Sequence, residues 1–385
     1  MSVYLDHAAT TPMFDVAIEA MNASLRKLGN PSSLHTEGRA TRKDVEDARE
    51  KIAQAVGCLP SEVIFTGSGT EANNAAIKGL YWHSGKPVIV VSCIEHHAVL
   101  DPALWLAEHE GAEVIQLPVN SDGVVDLEFL KTLIAERGSE IALISVMHSN
   151  NETGVLQPLA EIVKLAGDIP VHTDAVQSFT KVPLSYKDLG LFAMTISAHK
   201  VGGPLGIGAL ILRRAVEIPP LLHGGGQERD IRSGTVNAPA IVAFAAAVES
   251  HLYDAAKISQ LRDSFEAGVI AARPDAVING KNSPRLPGIS NITFPGTQSD
   301  SLLLLMDSEK VSCSTGAACT AGVHRPSHVL MAMGLSDVVA QSSLRFSLGS
   351  SSTQDDVDYT LSVLPRVIER GIAAQATRSL GAGRS

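Results

Sequence analysis

Residues 141–151, IALISVMHSNN, form a short apolar run that ends in a polar cluster. The same arrangement recurs between about residue 60 and residue 215, where apolar runs alternate with stretches of helical periodicity. The other runs are EVIFTG (62–67), KPVIVVS (86–92), AEVIQLP (112–118), IPVHTDAVQ (169–177), FAMTISAHK (192–200) and GIGALILR (206–213). Nearly continuous Val/Ile runs separated by helices are typical of a mainly parallel sheet buried on both faces. The sequence therefore predicts an α/β fold whose large domain has a mainly parallel, seven-stranded sheet.

The pattern changes near residue 255. Beyond that point, GISNITF (288–294), LLLLMDSEKVSCS (302–314) and SSLRFSLG (342–349) indicate the strands and helices of a smaller α+β domain. We expect a large domain at residues 15–255 and a small domain formed by residues 1–14 and 256–375. Residues 376–385 are mostly small and polar, so we expect a frayed tail there.

Composition excludes several function classes. The formal net charge of -10 and the absence of a Lys/Arg block argue against nucleic acid as the main partner. The N-terminus has no secretion signal and no stretch reaches 18 uninterrupted apolar residues, so we expect neither export nor a membrane span. Four cysteines without a CxxC spacing predict neither a disulfide framework nor a structural metal. An acidic cytoplasmic protein is the expectation.

Polar clusters follow several of the predicted strands, at the sheet edge where ligands bind in such folds. Each has a functional and a structural interpretation. Lys200 in SAHK is either a solvated lysine or a Schiff-base former, and Gly69 and Thr70 are either an anion cradle or an ordinary strand-to-helix turn. Asp174 can pair with a protonated ring nitrogen or cap a helix. His96 can stack on a cofactor or be a structural histidine.

The C-terminal part adds two further candidates. CSTGAACTAG (313–322) surrounds its cysteines with small residues, which favours an accessible loop. Cys319 is the better candidate nucleophile, because Cys313 can equally be a small buried hydrophobe. Arg345 in SSLRFSLG either grips a carboxylate with its fork of donors or is an exposed charge on an edge strand.

Taken together, the motifs resemble those of a known family along nearly the whole chain. The ordered series is YLDHAATTP, GNPSSLH, EVIFTGSGTEANN, EHHAVLD, SVMHSNNETG, HTDAVQ, SAHK, HGGGQERDIRSGT, CSTGAACTAG and SSLRFSLG. It resembles the cysteine desulfurases of the class V aminotransferase group, which are pyridoxal-phosphate enzymes of fold type I. GGGQERDIRSGT and CSTGAACTAGVHRPSHVL look most like the actinobacterial members.

The resemblance implies a role for each matching position. Lys200 would bond covalently to the cofactor, His96 would stack on its ring, Asp174 would pair with the ring nitrogen and Gln177 with the phenolic oxygen. Gly69, Thr70, Ser197 and His199 would bind the phosphate, together with Thr235 from the second subunit of a homodimer. Asn151 and Arg345 would bind the substrate carboxylate, and Cys319 would take the sulfur.

The implied activity converts L-cysteine to L-alanine and leaves the sulfur on Cys319 as a persulfide, for an acceptor such as an iron–sulfur scaffold protein. A selenocysteine lyase or cysteine sulfinate desulfinase, and a sulfur-relay platform with weak turnover, are the alternatives. A simple aminotransferase would not need Cys319. Two features depart from the family pattern: Ala198 stands where many relatives have glycine, and the extra CST before GAAC lengthens the cysteine segment.

Overall fold

The computed structural model describes the backbone of residues 2–250, 252–316 and 326–382 and, within these ranges, the side chains as far as residue 375. The helices are α1 (Asp15–Leu25), α2 (Thr36–Val56), α3 (Gly69–Ser84), α4 (His97–Glu110), α5 (Leu127–Arg137), α6 (Leu159–Ala166), α7 (Tyr186–Leu189), α8 (Ala238–Glu249), α9 (Ala255–Ala272), α10 (Ser299–Ser308), α11 (His328–Ala332), α12 (Asp337–Ala340) and α13 (Gln354–Ala382). The strands are β1 (Val3–Tyr4), β2 (Val63–Thr66), β3 (Val88–Ser92), β4 (Glu113–Leu117), β5 (Ile141–Ser145), β6 (Val171–Asp174), β7 (Ala193–Ser197), β8 (Gly208–Leu212), β9 (Val277–Ile278), β10 (Ile289–Thr293), β11 (Val311–Ser312) and β12 (Ser343–Ser347).

A seven-stranded sheet forms the centre of the protein, in the order β2-β8-β7-β6-β5-β3-β4. Its strands pair in parallel except β8, which is antiparallel to both β2 and β7. Every residue of β2, β3, β5, β6, β7 and β8 is buried, whereas the edge strand β4 is partly exposed. The predicted mainly parallel, seven-stranded sheet is therefore confirmed.

Helices cover both faces of this sheet, which is why its strands are apolar at successive positions. Neighbouring residues on a strand point to opposite faces. In β2, Phe65 packs in one hydrophobic cluster with Ile52 of α2, whereas Ile64 packs in the other with Ile77 of α3. Burying each such side chain contributes about 1.5–3 kcal/mol to folding, so both faces stabilise the sheet.

A second hydrophobic core lies around two small sheets, β12-β10-β9 and β1-β11. It joins Val3 and Leu5 from the N-terminus to residues between 258 and 368, and it also contains Cys313. This packing supports our proposed division into a large domain at 15–255 and a small domain formed by 1–14 and 256–375. The helix α13 continues to Ala382, so most of the tail predicted at 376–385 has helical backbone, and its side chains lie outside the described ones.

The carboxyl ends of the parallel strands position the polar clusters found in the sequence. β6 ends at Asp174, and β7 ends at Ser197, just before a short turn of 3₁₀-helix (Ala198–Lys200). α3 begins at Gly69 soon after β2, and α4 begins directly after His96. These loops therefore meet along one edge of the sheet. Within the described ranges, no helix is long and apolar enough to cross a membrane.

Candidate active site

A cavity of about 270 Å³ lies at this edge of the sheet. It brings together most of the residues that the sequence analysis singled out. The predicted residues that line it are Gly69, Thr70, His96, Asn151, Asp174, Gln177, Ser197, His199 and Lys200. Ser68, Asn73, Ala98, Met147 and Val176 complete the lining. Positions as far apart in the chain as Ser68 and Lys200 thus share one site.

The start of α3 provides an anion cradle at one end of the cavity. Ser68 caps the helix, its hydroxyl accepting a hydrogen bond from the backbone N–H of Glu71 at 3.1 Å. A Cβ atom at Gly69 would lie 3.0 Å from Val176 and 3.2 Å from the Cβ of Ser197, so a side chain here would crowd the close approach of the helix to β7. The first N–H groups of a helix have no partner within it, and they favour a phosphate or another anion.

Asp174 is held rigidly at the end of β6. Its Oδ2 accepts a hydrogen bond of 2.6 Å from the side-chain amide of Asn73, and its Oδ1 accepts one of 2.9 Å from the backbone N–H of Val176. Asn73 is buried, and the sequence analysis did not identify it. Its position one turn after Gly69 in α3 was the available signal, because residues four apart share a helix face.

The amine of Lys200 donates hydrogen bonds to the backbone carbonyls of Ala8, at 2.5 Å, and Ala9, at 2.8 Å. Burial, together with the charge of Arg345, lowers the pKa of Lys200 to about 8. Asp6 and Asp174 act in the opposite direction. The amine is therefore partly neutral near physiological pH, which is the state in which a lysine acts as a nucleophile or a base.

Two histidines in the cavity are neutral. Burial lowers the pKa of His96, and Nδ1 of this ring accepts a hydrogen bond from the backbone N–H of Ala98 at 3.0 Å. Its proton is thus assigned to Nε2. Burial and the nearby lysines Lys200 and Lys181 lower the pKa of His199 to about 4. Neutral rings of this kind can stack on a flat ligand or donate one hydrogen bond without adding charge.

The side chains of Gln177 and Arg345 use only some of their hydrogen-bonding groups within the protein. Gln177 donates from Nε2 to the carbonyl of Ala8 at 2.8 Å, and its buried Oε1 has no partner within the described ranges. Arg345 donates from Nη1 to the carbonyl of Asn151 at 2.9 Å and from Nη2 to Asp6 at 2.8 Å, leaving its buried Nε unpartnered among the described residues. The Arg345 side chain is 5% exposed, so it is not an exposed edge-strand charge. Asp6 is a second partner that the sequence analysis did not identify.

Two predicted residues that the structure describes, Thr235 and Arg345, do not line the cavity. Thr235 is exposed on a loop between the 3₁₀ turn at Glu228–Asp230 and α8. Cys319 lies outside the described residues. Burial raises the pKa of each described thiol, to about 12 for Cys58 and also above its usual range for Cys93 and Cys313. A raised pKa reduces the thiolate that nucleophilic attack requires, so these three thiols are poorly suited to that role.

The residues present fit pyridoxal phosphate, the cofactor that the resemblance implies. A flat pyridine ring with a phosphate arm needs an anion cradle, a carboxylate for the ring nitrogen and an amine for its aldehyde. The cavity supplies these at α3, Asp174 and Lys200. The unpartnered Oε1 of Gln177 is a buried polar atom that the protein alone leaves unsatisfied, as is expected where a polar ligand completes the site.

Comparisons with known proteins agree with this geometry. The sequence pattern of the family described as "Aminotransferase class-V" matches residues 3–360. An "IscS-like cysteine desulfurase" of Mycobacterium tuberculosis is 49% identical over 99% of this chain and 100% of that relative, and a "Cysteine desulfurase IscS" of Dictyoglomus turgidum is 44% identical over 96% and 95%. A solved structure described as a NifS-like protein superposes with a TM-score of 0.88 at 36% identity, covering 96% of this chain and 100% of that one. The chain therefore belongs to the aminotransferase class-V family and, within it, to the cysteine desulfurases.

Proposed function

We propose that this protein removes the sulfur from L-cysteine, releases L-alanine and holds the sulfur on Cys319 as a persulfide. The carbon–sulfur bond of the substrate breaks with its electron pair left on carbon, which takes up a proton, and a sulfur–sulfur bond forms on Cys319. The observation that carries this proposal is the partly neutral amine of Lys200, which shares one cavity with the Asp174 carboxylate and the helix start at Gly69.

The cofactor and the chain divide the chemistry between them. Pyridoxal phosphate, when bound, supplies a conjugated ring that stores the electron pair from the substrate carbon. Gly69, Thr70 and Ser197 would hold the phosphate, joined by His199. Asp174 would keep the ring nitrogen protonated, and its two hydrogen bonds fix the carboxylate in one orientation for this task.

Lys200 would take the proton from the substrate α-carbon, because its lowered pKa leaves a usable fraction of neutral amine. His96 would move a proton with its Nε2. Asn151 and Arg345 would bind the substrate carboxylate, for which Arg345 keeps one unpartnered donor, Nε. A charge-assisted hydrogen bond of this kind is stronger than a neutral one and fixes the orientation of the substrate.

Further parts of the proposal concern assembly. We propose a cytoplasmic homodimer in which Thr235 of one subunit reaches the phosphate site of the other, which is consistent with the exposure of this residue in the single chain. We also propose that the persulfide passes to a sulfur-acceptor protein such as an iron–sulfur scaffold. The small residues around Cys319 favour a loop that can reach such a partner.

Mass spectrometry of the purified holoprotein after incubation with L-cysteine tests the central step. We expect the mass of one sulfur atom added to the peptide that contains Cys319, together with stoichiometric alanine. Cys319→Ser should abolish both, whereas Cys313→Ser is the matched control, since its buried thiol should not take part. Persulfide on Cys313, or full activity in Cys319→Ser, would show that the nucleophile is wrongly assigned. Alanine formed only from selenocysteine or cysteine sulfinate would contradict the proposed substrate.

A further inference from the structure

A second cavity, of about 410 Å³, adjoins the active site and shares Lys200 with it. We call it the rear cavity. Its lining is largely apolar, with side chains such as Phe14, Phe179 and Val248. The two amines that line it are Lys200 and Lys181. None of the functions proposed above uses Lys181.

Lys181 is unusual because it is both buried and unpaired. It is 8% exposed, and no ion pair or side-chain hydrogen bond involves it within the described ranges. Lysines are seldom buried without a partner, because removing an ammonium group from water is unfavourable. A lysine kept in this position therefore calls for an explanation beyond packing.

The backbone before Lys181 is also strained. Thr180 has φ +63°, in the left-handed region, which is a clear outlier for a β-branched residue. Such conformations persist only where the surrounding structure fixes them, and they cluster at functional sites. The strained turn fixes the direction of the chain at Lys181, where the side chain lines the rear cavity instead of reaching open solvent.

The charged groups that act on Lys181 are both cations, Lys200 and Arg345. Burial, together with the charges of Lys200 and Arg345, lowers the pKa of Lys181 to about 7. Tyr253, whose phenol pKa burial raises, lines the rear cavity beside it. A neighbouring cavity of about 10 Å³ joins Lys181 to His7, whose ring nitrogens have no partner among the described residues.

The neighbouring His7 does not take a proton from the two lysines. Burial, with the charge of Lys181, lowers the pKa of His7 to about 4, so that ring is neutral despite the opposing effect of Asp356. The carboxylates that favour a cation here, Asp6 and Asp174, act on Lys200. Between pH values of about 7 and about 8, the two amines therefore carry about one positive charge between them.

We propose that Lys181 and Lys200 share one proton across the rear cavity, and that Lys181 accepts the proton which the Lys200 amine must lose before it can react. An N–H bond of Lys200 breaks, an N–H bond of Lys181 forms, and the total charge of the pair does not change. The cavity has room for water molecules to carry this proton. The proposal rests on the proposed function, in which Lys200 is the reacting amine, and it makes Lys181 a positioning residue that acts through Lys200.

Other groups near Lys200 are less suitable acceptors. His199 is neutral, but with a pKa of about 4 its ring is too weak a base to hold a proton from an amine. Both carboxylate oxygens of Asp174 already accept hydrogen bonds. The carbonyls of Ala8 and Ala9 accept hydrogen bonds from the Lys200 amine without being able to take its proton. Lys181 is the neighbouring base whose strength matches that of Lys200.

The first test measures protonation in the cofactor-free, full-length protein, without reference to catalysis. Brief acetylation with acetic anhydride at a series of pH values, followed by peptide mass spectrometry, gives a titration midpoint for each lysine. In the wild type we expect Lys181 to react with a midpoint near 7. In Lys200→Met this midpoint should rise by about one pH unit, because the repelling charge is removed. Lys187→Met is the matched control, since Lys187 is exposed and close in sequence, and it should shift nothing.

A Lys181 midpoint that is the same in Lys200→Met as in the wild type, or that equals the midpoint of Lys187, would overturn the shared proton. If the two lysines titrate as expected but the protein forms no alanine from cysteine, only the proposed function is refuted. The two failures are therefore distinguishable. Because Lys181 stays in place in Lys200→Met, the test does not depend on the folding of a Lys181 variant.

The second test follows the absorbance change when the cofactor-free protein combines with pyridoxal phosphate. We expect Lys181→Met to slow this reaction about tenfold near neutral pH and to recover at higher pH, where hydroxide takes the proton. Lys181→Arg keeps the positive charge but cannot accept a proton, so it should be as slow as Lys181→Met. Restoration of the wild-type rate and pH profile by Lys181→Arg would show that charge or packing, and not proton transfer, explains Lys181.

Discussion

At the scale of single residues, the reactivity of Lys200 depends mainly on the burial of its amine away from water. Burial is the largest cause of its lowered pKa, ahead of the repulsion from Arg345. A lysine is neutral above its pKa and charged below it. The fraction of Lys200 that can react therefore increases as the pH rises through about 8.

The increase in neutral Lys200 with pH predicts how cofactor binding should depend on pH. The rate at which the cofactor-free protein forms its covalent link to pyridoxal phosphate should rise with pH, with a midpoint near 8, and then level off. Arg345→Met should move the midpoint upward, because the guanidinium charge disfavours the Lys200 ammonium. Stopped-flow absorbance over a pH series measures both effects. A rate that falls across this range, or a downward shift in Arg345→Met, would contradict the assignment.

A second residue-scale prediction concerns Asn73, which holds Asp174 by the 2.6 Å hydrogen bond. Asn73→Ala should weaken the binding of pyridoxal phosphate about tenfold or more, because a hydrogen bond to a charged group contributes about 1.5–3 kcal/mol. Equilibrium dialysis of the cofactor gives the dissociation constant. The control is Asn74→Ala, since the adjacent amide donates to the backbone carbonyl of Thr70 and does not contact Asp174. Equal effects of the two variants would exclude a specific role for Asn73.

These residues also show how far the sequence could predict the site. Asp174 and Lys200 were found because polar residues directly after buried strands are conspicuous. Asn73 and Asp6 were not, because each acquires its role from a partner far away in the sequence, Asp174 and Arg345. Such pairs depend on how helices and termini pack against the sheet, and no local pattern encodes that placement.

At the scale of elements, the segment Glu228–Asp230 illustrates how backbone strain is maintained. Glu228, Arg229 and Asp230 all have positive φ, at 45°, 63° and 60°. Both carboxylate oxygens of Glu228 accept hydrogen bonds from Arg49, at 2.7 and 2.9 Å, and one also accepts the backbone N–H of Phe65 at 2.7 Å. These bonds tie the segment that leads to Thr235 to α2 and β2.

The buried pair Arg49–Glu228 should therefore be essential for stability. Arg49→Met should lower the free energy of unfolding by about 3–5 kcal/mol, because the Glu228 carboxylate would remain buried without its partner. The double variant Arg49→Met/Glu228→Gln should recover much of this loss, since no uncompensated charge remains. Urea unfolding followed by circular dichroism measures both. A loss below about 1 kcal/mol in the single variant would mean that water reaches Glu228 and the pair is not structurally important.

The strands differ in how well the sequence could predict them. Strands of the central sheet were predictable because burial on both faces makes successive residues apolar. The antiparallel orientation of β8 was not, since direction leaves no trace in an apolar run. The strands β1, β9 and β11 have two residues each, too few for any periodicity. Their positions depend on long-range pairing, as between Val3 and Val311.

At the scale of the whole molecule, the N-terminal segment links the site to both hydrophobic cores. Val3 and Leu5 pack in the core around the small sheets, while the carbonyls of Ala8 and Ala9 accept hydrogen bonds from Lys200 at the end of the large sheet. Arg345 reaches the same segment through Asp6. The reactive amine is therefore held by a piece of chain whose position depends on both parts of the molecule.

The proposed dimer can be tested by mixing two inactive variants. Lys200→Ala lacks the reacting amine, and Thr235→Asp places a negative charge where the partner's phosphate would bind. If each site takes Lys200 from one subunit and Thr235 from the other, a mixed dimer has one intact site and one doubly altered site. Co-refolding equal amounts should make half of the dimers mixed, so alanine formation should recover to roughly a quarter of the wild-type value.

Each variant is inactive by itself, so activity can return only if two different chains together form an intact site. If Thr235 served the site of its own chain, every site in the mixture would carry one alteration and no activity would return. Refolding each variant separately and then combining the products under native conditions is the control, since subunits that do not exchange should give no recovery. Because Thr235 is exposed in the single chain and does not line its cavity, we expect the recovery that a shared site predicts.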